Sequence, residues 1–440
     1  MLKIISEIVW GLPTVIIMVS LGIFLSVKCS FFQITHIVDV FKKTLGGLKK
    51  NGSGGFKAMC MALGSTIGVG NIVGVAAAIT IAGPGTVFWV WVSGFLGMIT
   101  KFVEICISVH YSTVNSNGER VGGPMYNIIF GLPRKLKFLS IIFSGSCLLA
   151  SFGIGNMAQI NAVSENLEFA FAIPKILSAA FVLIPIAFLI FGTSKRLSNF
   201  CALFVPIMSL VYILGTLFII LANAGNFVPA LKSIFVAAFS FKSFSGGLLA
   251  SGFLRAIRTG LSRGIFTNEA GMGSSPIAHA SAENADPVTQ GFWGIFEVFI
   301  DTIVICSLTA FTILCTPISY ADFKNPTVLI NKIFTETFGN LGSAYLAIAC
   351  SMFAFATVIG WFYYGKCCSR FLFGGHRIYS LIYILIIPFG AIINFDTIWD
   401  FSDISNGIMA LTNIVVIIYL YPKAVEYLDG YKKIKRLKRF

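Results

Sequence analysis

The chain of 440 residues is 56% hydrophobic and 11% charged, against roughly 25% charged in soluble domains. Apolar runs near the length of about 20 residues that crosses a bilayer recur from end to end, so a water-soluble core is excluded. The net charge of +14 sits in short loops between those runs. That is the positive-inside pattern of a polytopic membrane protein and not the basic, base-stacking face of a nucleic-acid binder.

The first apolar segment, near Val9–Val27, lacks a small-residue cleavage site and runs on into further spans, so it reads as retained. The next five fall near Phe56–Ile81, Gly85–Val109, Phe138–Ile160, Ile176–Gly192 and Phe200–Leu221. Five more follow near Gly246–His279, Gly291–Leu314, Leu341–Gly365, Ile378–Ile393 and Ile404–Leu420, for a total of about eleven, the seventh unusually polar. Alternate loops are basic. One face collects Lys42, Lys43, Lys49, Lys50 and Lys57, then Arg120, Arg134, Lys135 and Lys137, then Lys195 and Arg196, then Lys366, Arg370 and Arg377. The tail, with Lys432, Lys433, Lys435, Arg436, Lys438 and Arg439, joins them, while Glu165, Glu168, Asp396, Asp400 and Asp403 lie on the other face. Glu283 and Asp286 fall on the basic side, but acidic residues weigh little in this rule. The expectation is an inner cell membrane protein with its N-terminus outside and its C-terminus cytoplasmic.

Two segments cannot be plain helices. The second contains Gly64-Ser65-Thr66-Ile67-Gly68-Val69-Gly70-Asn71 and then Gly74, and each glycine weakens a helix by about 1 kcal/mol relative to Ala. The seventh runs Arg263-Gly264-Ile265-Phe266-Thr267-Asn268-Glu269-Ala270-Gly271-Met272-Gly273-Ser274-Ser275-Pro276. Unwound backbone at membrane depth is tolerated only where it lines a protein or water cavity. Half-helix N-termini attract a carboxylate and unwound carbonyls coordinate a cation. Segments two to six and seven to eleven each begin with a broken helix; five spans is an odd number, so the two groups run oppositely through the membrane. The fold expected is all-α, with a 5+5 inverted repeat and two discontinuous helices. Its divisions are an extra helix and cytoplasmic loop over 1–55, repeats over 56–222 and 223–421, and a basic cytoplasmic tail over 422–440. Close-packing contacts of the small-xxx-small kind fit Gly70 and Gly74 but leave Asn268 and Glu269 unexplained.

Ionisable residues within spans are costly and functional candidates by default. Glu104, Arg255, Arg258, Arg263, Glu269, Glu297 and Asp301 qualify. Glu297 and Asp301, four apart, share a helix face, and the arginines of the seventh segment are positioned to neutralise them as a gate or structural ion pair. His36, His110, His279 and His376 are dispersed and read as unpaired, and the ten Cys as small buried hydrophobes without metal-ligand or redox spacing.

The chain resembles the alanine or glycine:cation symporter family, whose fold is of the leucine-transporter type. The stretches that carry the resemblance are Gly68-Val69-Gly70-Asn71-Ile72-Val73-Gly74-Val75, Gly83-Pro84-Gly85, Gly122-Gly123-Pro124-Met125-Tyr126, Ser262-Arg263-Gly264-Ile265-Phe266, Asn268 to Ser274, and Gly360-Trp361 with Tyr363-Tyr364-Gly365. Val69, Thr267 and Lys366 depart from the residues expected there. The resemblance implies sodium-driven symport of a small neutral amino acid, alanine or glycine, with Na+ as coupling ion and no organic cofactor. On that reading Gly68, Val69, Gly70 and Asn71 touch the substrate carboxylate and sodium through their backbone, since only Gly lets a ligand reach the main chain. Thr357 completes a sodium site with Ser65 and Gly68. Trp361 walls the side-chain pocket, Asn268 acts directly in the second break beside Phe266 and Gly271, and Gln159 and Asn156 either reach the substrate or hydrogen-bond between helices. Proton coupling, a broader substrate range and, more remotely, a membrane-embedded acyltransferase are the alternatives; a channel lacks a filter sequence.

Overall fold

A computed structural model describes residues 2–48, 54–116, 118–239, 250–283, 285–393 and 395–437. Lys49, Lys50, Lys438 and Arg439, four of the expected loop and tail charges, lie outside the described residues. Seven helices among the described residues are long and apolar enough to cross a membrane: Leu2–Lys28, Gly85–His110, Arg134–Phe171, Ser194–Ala222, Pro287–Cys315, Leu341–Phe373 and Thr397–Lys435. They are the first, third, fourth, sixth, eighth, ninth and eleventh segments. The second is a bent pair, Gly54–Thr66 and Val69–Ala82, with an angle of 61° between its halves. The fifth and tenth, Lys175–Ile190 and Arg377–Ile392, are shorter apolar helices. The seventh is Ala250–Asn268, then a break, then Ser275–Ala280.

The third segment forms the axis of the molecule. It is buried along nearly its whole length and packs against both halves of the seventh, the eighth and the eleventh. Small residues allow this approach. A Cβ on Gly264 would lie 1.8 Å from Ser93 Oγ, one on Gly294 2.3 Å from Ile105 Cδ1, and one on Gly291 2.6 Å from Phe102 Cδ2. In lipid, where apolar side chains gain nothing by leaving the solvent, close packing of this kind is a main source of helix association. The small-residue reading thus applies to these glycines; in the second segment Gly68 and Gly70 lie at the break, Gly64 packs against Val205 and Ala356, and a Cβ on Gly74 would meet nothing within 4 Å.

Four of the five like-placed pairs of segments in the two halves pack against each other. The second packs against the seventh, the third against the eighth, the fourth against the ninth and the fifth against the tenth. The fourth and eighth each carry a stretch of π-helix, Gly153–Met157 and Phe299–Cys306.

The two ends of the chain depart from expectation. The last helix does not stop near Leu420 but runs Phe395–Leu437, because Ala424, Leu428 and Tyr431 continue the apolar helical spacing. The tail is therefore no separate appendage: Lys435 pairs with Asp39, and the Tyr431 ring packs against Phe32 and Phe292. Asp39 belongs to Ile37–Leu48, a helix where the sequence suggested only a loop. On the same face Arg370 Nη1 donates to Glu119 at 2.6 Å. Burial first, then the fields of Lys366 and Arg370, hold the nearby His376 imidazole down at about 4, so at neutral pH its Nδ1 accepts from Arg370 Nε at 3.2 Å.

If close approach holds the third and eighth segments together, Gly294→Leu should destabilise the detergent-purified protein by about 1–3 kcal/mol through overpacking. Gly145→Leu, at a position where a Cβ meets nothing within 4 Å, should leave the thermal unfolding midpoint unchanged; equal midpoints for the two variants would contradict this packing.

Candidate functional site

The first break spans Ile67 to Ile72, where helix gives way to a single 3₁₀ turn over Val69–Asn71. Its polar groups are met from three sides. Gly68 N donates to Asn71 Oδ1 at 3.1 Å, Val69 N to Gln159 Oε1 at 3.2 Å, and Thr309 Oγ1 to Asn71 O at 2.9 Å. From the ninth segment, Thr357 Oγ1 lies 3.2 Å from both Gly64 O and Ile67 O and 3.0 Å from Phe353 O of its own helix. One hydroxyl hydrogen serves one acceptor at a time, so three carbonyls and a hydroxyl oxygen converge here with lone pairs to spare. A Cβ on Gly68 would come within 2.8 Å of Thr357 Oγ1 and 3.1 Å of Gln159 Oε1; only glycine lets the turn sit this close to both side chains.

The second break runs from Glu269 to Ser274. Glu269, Gly271 and Gly273 all have positive φ, at 52°, 85° and 81°, a conformation glycine adopts freely and other residues rarely. Asn268 ends the longer half-helix, and its Oδ1 accepts from Ala270 N at 3.0 Å. Gly271 O accepts from Asn413 Nδ2 of the last segment at 3.0 Å. Ser274 Oγ donates to Glu269 Oε2.

Between this break and the basic face lies a buried charged network that the sequence reading assembled from the wrong partners. Its cation is Lys101, fully buried on the third segment. Lys101 Nζ lies 3.4 Å from Glu297 and 3.9 Å from Glu104 and donates to Ser275 Oγ at 2.8 Å. Glu297 also meets His279 Nε2 at 2.9 Å, and His279 Nδ1 lies 2.6 Å from Gln290 Nε2. Asn413 Nδ2 donates to Glu104 at 2.9 Å. His279 is therefore paired, as is His110, whose Nδ1 meets Tyr427 Oη at 2.8 Å. The arginines take no part. Arg255 and Arg258 are exposed on the longer half-helix, and Arg263 lies over the Trp399 ring, 5.2 Å from its centroid. They sit on the N-terminal side of the second break, whereas Glu297 sits beyond it.

Glu297 and Asp301 also part company. The π-helix over Phe299–Cys306 shifts the hydrogen-bond register from i→i+4 to i→i+5 and leaves each with partners of its own. Asp301 turns to the first break, where Oδ1 accepts from Asn71 Nδ2 at 2.8 Å, while its Oδ2 accepts from Thr302 Oγ1 at 2.8 Å.

Of the expected site residues, Gly68, Val69, Asn71, Gln159 and Thr357 meet at the first break. Gly70 packs near Thr267. Ser65 is one turn away, its hydroxyl donating to Met61 O at 2.9 Å. Trp361 is buried beneath the π-helix of the fourth segment, where a Cβ on Gly155 would fall 2.3 Å from it. Asn156 instead ties the fourth segment to the tenth, its Nδ2 donating to Tyr383 O at 2.8 Å. Phe266 packs between Trp10, edge-on with ring centroids 6.1 Å apart, and Trp399, tilted at 5.1 Å. Lys101, Thr309, Asn413 and the Gly64 and Ile67 carbonyls were missed. Charge balance could have found Lys101: the carboxylates at 104, 269, 297 and 301 require a cation in the same low-dielectric region.

The model of the sodium:alanine symporter family matches residues 1–439. The sodium/alanine symporter AgcS of Methanococcus maripaludis is 34% identical, over 98% of this chain and 97% of its own. The probable sodium/glutamine symporter GlnT of Bacillus subtilis is 31% identical, over 98% and 90%. Among solved structures, the manganese transporter of Eremococcus coleocola in complex with an aromatic bis-isothiourea compound is similar, with a TM-score of 0.53 at 15% identity, over 86% of this chain and 78% of that one. At that identity the likeness is one of fold.

Lys101→Met should strand Glu297 and Glu104 as buried charges and destabilise the protein by about 3–5 kcal/mol. Adding Glu297→Gln should recover part of the loss. Thermal unfolding in detergent reads both, and a double variant that loses the sum of the single losses would contradict the pairing.

Proposed function

The chain belongs to the sodium:alanine symporter family, whose members are membrane transporters and not enzymes, and from that premise we propose that it carries a small neutral amino acid, alanine or glycine, inward with sodium by alternating access. The observation that carries this reading is the convergence of Thr357 Oγ1 with the carbonyls of Gly64, Ile67 and Phe353. Hard cations take oxygen ligands of this kind. Gly68 and Ser65 flank that oxygen set.

The amino acid sits at the breaks. Its carboxylate meets the backbone of Gly68 to Asn71, at the positive end of the half-helix Val73–Ala82. Gln159 and Asn268 orient it with their amides, Phe266 and Gly271 close it from the second break, and Trp361 limits the side chain to a small one. Asp301, buried and held by Asn71 and Thr302 without a basic side-chain partner among the described residues, supplies negative charge for the ammonium group or the cation. Glu269 and Glu297, tied with Lys101 into the network beyond the second break, belong to the gate on the basic face.

The packing of like-placed segments supports the 5+5 inverted repeat over 56–222 and 223–421, with about eleven crossings. The distribution of basic loops supports an inner-membrane protein with its N-terminus outside. Proton coupling is favoured as a second reading by one feature: Glu104, Glu269, Glu297 and Asp301 are all buried, while among the described residues Lys101 is the lysine that pairs with any of them.

Reconstituted in vesicles, the protein should take up radiolabelled alanine or glycine when sodium is high outside and not when choline replaces it. Uptake measured against pH at fixed sodium separates the proton reading. Thr357→Val should raise the sodium concentration for half-maximal uptake at least about tenfold, on the scale of 1.4 kcal/mol for one lost oxygen ligand. Thr357→Ser should stay near wild type; the same sodium dependence in all three proteins would remove Thr357 from the cation site.

A further inference from the structure

The first segment lies outside both five-helix groups, yet it touches the seventh segment both before its break and within it. Trp10 Nε1 donates to Ser262 Oγ at 3.1 Å, and the Trp10 ring meets Phe266 edge-on; both partners belong to the longer half-helix. About two turns further along, Met18 reaches the break itself. A Cβ on Gly271 would lie 3.2 Å from Met18 Cε and 3.5 Å from Thr100 Cγ2.

Gly271 is thus held from two directions. Its carbonyl accepts from Asn413 Nδ2 of the last segment, and its bare Cα meets the Met18 methyl group. The first segment is itself packed tightly in place: a Cβ on Gly22 would fall 2.8 Å from Leu96 Cβ of the third segment, and one on Gly407 of the last segment 2.4 Å from Val9 Cγ1. Asn268 shares this backing. Its amide lies against the third segment, where a Cβ on Gly97 would come within 3.2 Å of Nδ2. Its Oδ1 is taken by Ala270 N, while the buried Nδ2 has no hydrogen-bond partner among the described residues.

Behind these two residues is a cavity of about 20 Å³ lined by Met18, Gly97, Thr100, Ile265, Asn268 and Ala270, room for about one water molecule. The space on this side of the second break is therefore set by a single flexible, unbranched side chain of the kind that fills irregular gaps. Its length decides how far Gly271 and Asn268 can draw back from a ligand resting on their other side.

We propose that Met18 is a specificity-determining residue of transport: from outside the repeats it backs Gly271 and Asn268, and so limits the size of the side chain that the second break accommodates. The proposal rests on the amino-acid-symport reading above and on its placement of the substrate between the breaks. Met18 is a positioning residue, acting through Gly271 and Asn268 without touching the substrate.

The test measures sodium-driven uptake into vesicles of radiolabelled glycine, alanine and 2-aminobutyrate, whose side chains grow by one carbon at a time, and compares kcat/KM among them. One methylene in a close-fitting pocket is worth about tenfold or more in selectivity. Met18→Ala should shift the ratio toward 2-aminobutyrate, and Met18→Phe toward glycine, each by about fivefold or more on that scale. Met18→Leu, which conserves volume, should stay within about twofold of wild type, and so should Ile16→Ala on the exposed side of the same helix. Met18→Ala also removes buried apolar volume and lowers the thermal unfolding midpoint, but a less stable protein takes up all three substrates less well in equal proportion, leaving their ratios unchanged. Ratios that stay within about twofold of wild type in the Ala variant overturn the proposal and leave the symport reading intact, as does a shift in the same direction in the Ala and Phe variants. Where Met18→Phe yields no folded protein, the contrast between the Ala and Leu variants decides. A wild-type protein that takes up none of the three with sodium overturns the symport reading and the role of Met18 with it.

Discussion

Backbone amides and carbonyls cannot go unpaired in hydrocarbon, where each orphan costs several kcal/mol. The second and seventh segments nevertheless unwind at depth, and much of the interior can be understood as the response. At the first break Gln159, Thr309 and Thr357 come from three different segments to meet the freed groups. At the second, Asn413 does the same for Gly271. On the proposed function, side chains that repair the breaks also touch the substrate, so that a ligand replacing part of the repair is held without a new binding surface.

The buried charges obey the same economy of partners. Lys101 is the hub: Glu297, Glu104 and Ser275 converge on it from the eighth, third and seventh segments, and His279 and Gln290 extend the network toward Gly55 at the start of the second. A buried ion network is weak evidence for stability but demanding about geometry. Parting the third segment from the seventh breaks the Lys101–Ser275 contact, and parting the eighth from either breaks a Glu297 contact, to Lys101 or to His279. An alternating-access cycle requires an element with two discrete arrangements, and on the proposed function this network is the candidate for it on the basic face.

Much of this was legible in the sequence. The glycine run at 64–74 and the polar stretch at 263–276 marked both breaks, because glycine cost and buried polar groups are local properties. Thr357 was found through the family resemblance and Gln159 as an amide within a span, and both lie at the first break. What failed was non-local. Helical spacing put Glu297 and Asp301 on one face, and the π-helix between Phe299 and Cys306 separated their partners. Arg263 looked like their neutraliser because it was near in sequence to the break; its half-helix carries it to the other side. Lys101 was overlooked inside an apolar run although four carboxylates demanded a cation. The residues from 422 on were read from their charge as a basic cytoplasmic tail, while Leu428 and Tyr431 keep the helix against the core.

The central claim is that one oxygen cage, built from the Gly64 and Ile67 carbonyls and Thr357, couples the cation to an amino acid bound a residue or two away at Gly68 to Asn71. Coupling between two sites is reciprocal. The most direct measurement is isothermal titration calorimetry of the purified protein, with alanine titrated at several sodium concentrations and sodium titrated with and without alanine. The account predicts that sodium strengthens alanine binding and that alanine strengthens sodium binding by the same factor. Alanine affinity that stays the same when sodium is replaced by choline would contradict it.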